Sequence, residues 1–364
     1  MKKLLLLLAG TGVTVGCFYW SMQGVKVEEF QESFRGANYW TLPAIFLLLF
    51  VFYWLKAVRW SWMLQPIRKL GARQLFSPVM IGFAANNVLP AHLGEFVRVF
   101  LVGRRHSVPA ATVLSTVVLE RVFDVMAIVS LFAVSLPFAD ELPPEYSKVV
   151  MYLATAAAAF VVFASVFLLW TEASNRLFSV AMRFVPFVGE GMKGRLVSMM
   201  ESAGEGLNAL RSVHTILALV LNSLVQWILN GLIAYLALRA FHIPVAPADG
   251  LILTAVLAVA VMIPSTPGYF GLIQGAFKMS ILALGIDAGE SRVFAASMYY
   301  HMSMYVPVTL TGMFFLSNEG LRLRDLGRVA KDSKQPAAVR SEVPATAEEN
   351  GKDSEQNRPA GPGR

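Results

Sequence analysis

Long apolar runs dominate this sequence and restrict what the chain can fold into. Six of them reach roughly the 20 residues that an α-helix needs to cross a hydrocarbon core. They lie at about 4–22, 40–58, 110–136, 149–170, 214–238 and 294–316. Because 56% of the residues are hydrophobic and only 15% are charged, we expect an all-α polytopic membrane protein with about six full transmembrane helices.

Charged residues next to these runs predict the topology, since cytoplasmic loops carry an excess of Lys and Arg. Basic clusters alternate with acidic loops, such as those at 28–32, 140–145 and 287–290. The basic clusters contain Lys2 and Lys3, Lys56, Arg59, Arg68, Lys69 and Arg73, Arg104 and Arg105, Arg176, Arg183, Lys193, Arg195 and Arg211, and Arg322, Arg324 and Arg328. This order predicts that both termini are cytoplasmic. It also accounts for the net charge of +7 without nucleic acid binding.

The single cysteine, Cys17, cannot form an intrachain disulfide or a Cys-based metal cluster. The residues before it loosely resemble a lipoprotein signal, with a basic start, an apolar run and a small residue next to the cysteine. Thr14 is unfavourable three places before that cysteine. We therefore expect the first helix to remain uncleaved.

Two further apolar segments, about 76–102 and 249–285, are interrupted by Pro, Gly and polar residues. The first leaves and returns on the basic side, near Arg73 and Arg104. The second leaves and returns on the acidic side, near Asp249 and Asp287. At about 27 and 37 residues, neither comfortably holds two full crossings. We therefore expect two re-entrant broken hairpins, although the second is long enough for one tilted span.

The tips of these two segments share the pattern Pro-x-x-x-Gly-x-Phe, at 90–96 and 264–270, a displacement of 174 residues. The same displacement superimposes neighbouring spans that run in opposite directions in the predicted topology. Inverted repeats of this kind are typical of secondary transporters. We expect repeat halves at about 1–138 and 147–318 within a transmembrane domain of residues 1–320. An amphipathic cytoplasmic linker is expected at about 172–212, and a disordered cytoplasmic tail at 321–364.

Polar residues inside this apolar chain mark the candidate site. Non-helical backbone at membrane depth is tolerated only where protein or a water-filled cavity surrounds it, so we expect the first hairpin tip to line a cavity. Glu95 and Arg98, three residues apart, are expected to compensate each other. Glu120, Arg121 and Asp124 fall near the middle of the third span. Each would cost roughly 2.5–3.5 kcal/mol if it faced lipid, so they must face inward, either as a purely structural network or as a substrate site.

Two other polar features admit alternative interpretations. A stripe on the fifth span is explained equally well by interhelical hydrogen bonds and by a substrate path; it consists of Asn222, Gln226 and Asn230. His301, among several tyrosines, is either a packed and hydrogen-bonded residue or a proton site.

Catalytic patterns are absent from the sequence: there is no Walker motif, no metal-binding His and Cys pattern and no nucleophile elbow. The adjacent Asp140 and Glu141 have the composition of a glycosyltransferase site, but a solvated acidic loop explains them better. We expect no enzyme activity, no metal and no cofactor.

The segments NNVLPAHLGEFVRVFLVGR, LERVFDVM and IPSTPGYFGLIQGAF resemble the lysylphosphatidylglycerol synthase transmembrane-region family, also called flippase-like domain proteins. The resemblance covers about residues 1–320. It implies a bacterial or archaeal cytoplasmic-membrane protein that moves or handles lipids. The matching positions, which are our candidate substrate-binding residues, are Asn87, Pro90, Gly94, Glu95, Arg98, Glu120, Arg121, Asp124, Pro264, Pro267, Gly268 and Gly271.

Two departures from the family pattern bear on function. The last motif of the family often reads PGGxGxxE, whereas this chain has Tyr269 and Gln274, so it lacks the second carboxylate that the family motif supplies. The synthase members also carry a soluble aminoacyltransferase domain. Only a short tail follows the spans here, and we therefore do not expect aminoacyl-lipid synthesis.

The sequence thus favours a lipid flippase that passes an anionic head group through a polar cavity between the two hairpins. Arg98 and Arg121 are expected to hold the phosphate, and the half-helix ends to add N–H donors. One alternative is a membrane enzyme acting on a lipid-linked substrate, with Glu120 or Asp124 as general base. Another is an accessory subunit of a lipid-modifying enzyme.

Overall fold

A computed structural model describes residues 2–89, 93–135, 155, 212–263 and 266–321 of the chain. These residues form α-helices and one short 3-10 turn, with no strand among them. The helices are α1 (Lys2–Met22), α2 (Val27–Arg35), α3 (Thr41–Leu64), α4 (Ala72–Val88), α5 (Gly94–His106), α6 (Ala110–Ser135), α7 (Val213–Ala240), α8 (Pro247–Ala260), α9 (Leu272–Ala283) and α10 (Glu290–Asn318), with the 3-10 turn at Pro267–Tyr269.

Several predicted features lie outside the described residues. They are the span at 149–170, the linker at 172–212, the acidic pair Asp140 and Glu141, the tail from 322 onward, and the tip residues Pro90 and Pro264.

Helices occupy the other five predicted spans, namely α1, α3, α6, α7 and α10. Two of them, α3 and α7, are both long and apolar enough to cross a membrane. By contrast, α6 is of similar length but has Glu120, Arg121 and Asp124 in its middle. The helix α3 continues to Leu64, six residues beyond the predicted end at 58. Lys56 and Arg59 therefore both lie within the helix.

Both broken segments contain the predicted interruptions. In the first, α4 ends at Val88 and α5 begins at Gly94; in the second, α8 ends at Ala260 and α9 begins at Leu272. At 1.5 Å per residue these four helices are about 18–26 Å long, shorter than a ~30 Å hydrocarbon core. Each segment is therefore a pair of short helices joined by a break.

The surface and the interior have the polarity expected of a protein surrounded by lipid. Large apolar side chains such as Leu47, Leu221 and Leu310 are more than half exposed, whereas Arg59 is 0% exposed and Glu120 is 1% exposed. In water an extended apolar surface of this kind would be unfavourable. In a bilayer the same surface faces a matching solvent, and the charged side chains avoid lipid by facing inward.

Two glycines allow α4 and α5 to approach closely. A Cβ atom at Gly94 would collide with the carbonyl oxygen of Gly82, and one at Gly82 would lie 2.9 Å from the carbonyl oxygen of Gly94. The backbone N–H of Gly94 donates a 2.8 Å hydrogen bond to Oδ1 of Asn86. This contact holds the start of α5 against the end of α4, and it fixes the direction in which Glu95 and Arg98 project.

We expect Gly94→Ala to destabilise the protein, because the added methyl group must separate two packed backbones. Overpacking of this kind typically costs about 1–3 kcal/mol. Gly12→Ala is the matched control, since nothing lies within 4 Å of a Cβ at that position. The melting temperature of the purified protein in detergent measures the effect. Equal melting temperatures for the two variants would contradict the close approach.

Candidate functional site

Two helices contribute the centre of a buried charge network. On α3, Lys56 and Arg59 are three residues apart, and on α6, Glu120 and Asp124 are four apart, so each pair shares one helical face. The two faces meet. The Arg59 guanidinium contacts Asp124 Oδ1 at 2.7 Å and Glu120 Oε1 at 3.1 Å. Both carboxylates are therefore compensated from α3.

The helix α5 supplies further partners to α6. Arg98 lies 2.8 Å from Glu120 Oε2, and its guanidinium sits 5.0 Å from the ring centre of Trp60. Glu95 lies 2.6 Å from Arg121. The predicted pairing of Glu95 with Arg98 is therefore wrong. Because Glu120 is buried and needs a cation more than the less buried Glu95 does, Arg98 turns to α6 and leaves Glu95 to pair with Arg121.

The helix α7 completes the network with polar groups. Trp227 Nε1 donates to Asp124 Oδ1 at 3.1 Å, and Arg59 donates to the Ser223 hydroxyl at 2.7 Å. The predicted polar stripe takes up hydrogen bonds within the helix bundle. Gln226 donates to Asn222, and Asn230 accepts a 3.2 Å bond from the Tyr300 hydroxyl on α10. The stripe therefore divides: Asn222 and Gln226 bond to each other within α7, whereas Asn230 bonds to α10 and also faces a cavity.

Lys56 and Arg59 were missed by sequence reasoning, which took them for cytoplasmic topology signals. Their exposures are 3% and 0%, so these two residues belong to the site. The two carboxylates of α6 could have indicated this, because buried carboxylates require cations that face inward. Lys56 and Arg59 lie at the end of a preceding apolar span and were therefore candidates.

A cavity of about 250 Å³ lies beside this network. Its walls come from α3 to α8, from the 3-10 turn and from α9 and α10, so both broken segments contribute. The lining residues with polar side-chain atoms are Tyr53, Lys56, Asn86, Asn87, Glu95, Arg121, Trp227, Asn230, Thr254, Tyr269, Tyr300, His301 and Tyr305.

The predicted site residues divide into those that line this cavity and those that lie behind it. Asn87, Glu95, Arg121 and Gly268 are in the lining. The buried pair partners Arg98, Glu120 and Asp124 form the network behind the lining, and Gly94, Pro267 and Gly271 shape the backbone around it.

A chain of three hydrogen bonds fixes His301 in one protonation state. The Gly271 N–H can only donate, so the atom that it meets at 2.7 Å is Oε1 of Gln274. The Gln274 amide nitrogen then donates to His301 Nδ1 at 3.1 Å. His301 therefore carries its proton on Nε2 and donates it to the Gly268 carbonyl oxygen at 2.8 Å. The imidazole is neutral and holds the Gly268 carbonyl in place, which favours the packed interpretation over a proton site.

The hydrogen bond from His301 stabilises the break in the second segment. Gly268 has φ +83° and Tyr269 has φ +60°, a left-handed backbone region that is unfavourable for a tyrosine. The bond from His301 holds the Gly268 carbonyl, and Tyr269 thereby enters the cavity lining. Gln274, the departure from the family motif, is thus the residue that holds His301 in its neutral form.

The half-helix ends do not offer all the free donors that the sequence predicts. The N–H of Gly94 is bonded to Asn86 and that of Gly271 to Gln274. In the cavity lining, the groups suited to an anion are the side chains of Lys56 and Arg121. Within the described ranges, no three His, Cys, Asp or Glu residues are arranged to hold a metal ion.

Comparison with known proteins identifies the family of the chain. The sequence profile of the lysylphosphatidylglycerol synthase TM region matches residues 7–312. The chain belongs to this family.

Two similar relatives are archaeal members of the UPF0104 membrane proteins. One, from Methanocaldococcus jannaschii, is 23% identical over 235 residues, which cover 64% of this chain and 93% of the relative. The other, from Methanothermobacter thermautotrophicus, is 23% identical over 284 residues, covering 72% and 81%. No solved structure matches the chain. The chain is therefore a membrane protein of the synthase TM family that is similar to UPF0104 membrane proteins.

We expect the Arg98–Glu120 pair to be strongly coupled. Removing one partner leaves a buried charge short of compensation, which costs about 3–5 kcal/mol. Arg98→Met and Glu120→Gln should therefore each lower the melting temperature, and the double variant should lose less than the sum of the two. The exposed pair Arg105–Glu319, 3.0 Å apart, is the control, because a surface pair contributes about 0–1 kcal/mol. A coupling no larger than that of the control would contradict the buried network.

Proposed function

We propose that this protein translocates an anionic or lipid-linked amphiphile across the membrane through the cavity, without covalent chemistry. The observation that carries the proposal is a cavity with cationic side chains, Lys56 and Arg121, inside a protein whose outer surface is apolar. Ionisable residues within a membrane protein are expensive, and they usually mark a substrate or ion pathway.

The mixed lining of the cavity supports an amphiphile as the ligand. It includes charged or polar side chains, such as Lys56, Asn86 and Arg121, and apolar ones, namely Phe83, Leu257, Ala258, Val261 and Ile273. The polar side chains suit a head group, and the apolar ones suit the upper portion of an acyl or prenyl chain.

The role of Arg98 differs from the one that the sequence suggested. Arg98 is 2% exposed and points to Glu120, so it fits a supporting role. Lys56 and Arg121 line the cavity instead, and we assign the phosphate contact to these two cations. Glu95 pairs with Arg121 at 2.6 Å and is positioned to release it when an anion enters.

We further propose that the two broken segments are re-entrant hairpins related by an inverted repeat. Both consist of two short helices, and both contribute to the same cavity. Such a pair around a central site is the plan of many secondary transporters. On this proposal, both termini are cytoplasmic, the break of α4–α5 is reached from that side, and the break of α8–α9 is reached from outside.

The enzyme alternative finds less support in the geometry. Glu120 and Asp124, the bases that it requires, are 1% and 2% exposed, and each contacts cations of α3. A carboxylate held this way is a poor proton acceptor for a substrate in the cavity. The accessory-subunit alternative predicts that Arg121 variants have the same phenotype as the wild-type protein.

The test of translocation uses proteoliposomes that contain a fluorescent anionic phospholipid. We expect the wild-type protein to move label between leaflets, and Arg121→Gln to slow this about tenfold or more, a change of at least ~1.4 kcal/mol in the barrier. Arg105→Gln removes a cation at the surface and should leave the rate unchanged. Absence of translocation by the wild-type protein, or covalent change of the lipid, would contradict the proposal.

Cysteine labelling tests the topology. In a Cys17→Ala background, cysteines at 73 and 104 should react only with cytoplasmic reagent, and cysteines at 249 and 287 only with external reagent. The reason is that a re-entrant hairpin begins and ends on one side of the membrane. Labelling of position 104 from outside would overturn the inverted-repeat arrangement.

A further inference from the structure

The charges of the network do not balance. Within the described residues it contains three carboxylates, those of Glu95, Glu120 and Asp124, and four cations. The cations are Lys56, Arg59, Arg98 and Arg121. An uncompensated charge in a low-dielectric interior is unfavourable. With Lys56 protonated, the described part of the network is therefore one negative charge short of neutrality.

The distances indicate which cation is the least compensated. Glu120 gives one oxygen to Arg98 at 2.8 Å and the other to Arg59 at 3.1 Å. Asp124 gives one oxygen to Arg59 at 2.7 Å. The Lys56 ammonium reaches these carboxylates only at 3.4 Å, which is longer than a charge-assisted hydrogen bond.

Lys56 is also positioned to contact a ligand in the cavity. It lines the cavity, and its ammonium lies 5.1 and 5.6 Å from the ring centres of Phe52 and Phe83. Arg121, the other cation in the lining, already holds Glu95 at 2.6 Å. The excess positive charge is therefore located at Lys56.

A second observation points to a ligand at the same cavity. Thr254 on α8 is 4% exposed and belongs to the cavity lining, and its hydroxyl has no hydrogen-bond partner among the residues that the structure describes. A buried hydroxyl without a partner costs free energy. A ligand oxygen in the cavity would satisfy it. Asn86, whose Oδ1 is occupied by the Gly94 N–H, presents its amide NH2 group as a further donor.

We propose that Lys56, with Thr254, binds a phosphodiester head group that carries a single negative charge. This rests on the proposed function for its substrate and adds the charge class. One phosphodiester brings the described network to neutrality. A phosphomonoester, with about −1.5 to −2 at neutral pH, or a diphosphate would replace the excess positive charge by an excess negative one.

The test measures binding to the purified full-length protein in detergent at pH 8. The probes are short-chain phosphatidylglycerol, a monoanionic phosphodiester; short-chain phosphatidic acid, a dianion at this pH; short-chain phosphatidylcholine, with no net charge; and glycerophosphoglycerol, the head group without chains. We expect phosphatidylglycerol to bind about tenfold tighter than each of the others.

Variants locate the preference. Lys56→Gln should abolish the preference for phosphatidylglycerol, Lys56→Arg should retain it, and Thr254→Val should weaken binding severalfold without changing the charge of the site. Arg105→Gln is the control and should bind like the wild type. Thr254→Val introduces no charge, so it keeps the test informative if Lys56→Gln fails to fold.

Several outcomes would overturn the inference. These are equal or tighter binding of phosphatidic acid or phosphatidylcholine, full phosphatidylglycerol affinity in Lys56→Gln, and wild-type affinity in Thr254→Val. Equal affinity for glycerophosphoglycerol would overturn a lipid as the source of the phosphodiester. Translocation without any charge preference would leave the proposed function standing and remove this inference. Charge-selective binding without translocation would support this inference and contradict the proposed function.

Discussion

The compensation of two carboxylates in the middle of α6 is the constraint on which the other helices depend. Glu120 and Asp124 are almost fully buried, and their partners come from α3, α5 and α7. A charge facing lipid costs several kcal/mol, so these helices cannot separate from α6 without exposing it. The network thus fixes the relative positions of four helices where apolar packing alone is weakly directional, since lipid tails are as apolar as Leu.

On the proposed function, stability and ligand binding share the same residues. The described cations that hold α6 in the bundle outnumber the carboxylates by one, and one of these cations, Lys56, lies in the cavity wall. A soluble protein could place structural and ligand-binding charges in different regions, because water solvates both. In a membrane interior, placing these charges in one cluster, where most of them are compensated, is the less costly arrangement. This explains why the cavity lies directly against the network.

The sequence predicts the helical class, the positions of most helices and both breaks, because these depend on local properties. Pro and Gly favour a helix end where they cluster with polar residues, and α4 ends at Val88 as the tip motif indicates, whereas the isolated Pro78 and Pro307 lie inside α4 and α10. The partners of each charge depend on tertiary packing. Glu95 and Arg98 are neighbours on one helix, yet each pairs with α6. Lys56 and Arg59 have an adequate local explanation as topology signals, and only the approach of α3 to α6 overrides it.

Gln274 illustrates how one side chain can determine the protonation state of a neighbouring residue. The family motif often has a carboxylate at this position, which could accept a hydrogen bond from a protonated imidazole. An amide whose oxygen is already taken by the Gly271 N–H must instead donate to His301 Nδ1. A proton on Nδ1 would then face a second donor. His301 stays neutral in this chain and braces the Gly268 carbonyl, so the cavity owes its charge to the α3, α5 and α6 side alone.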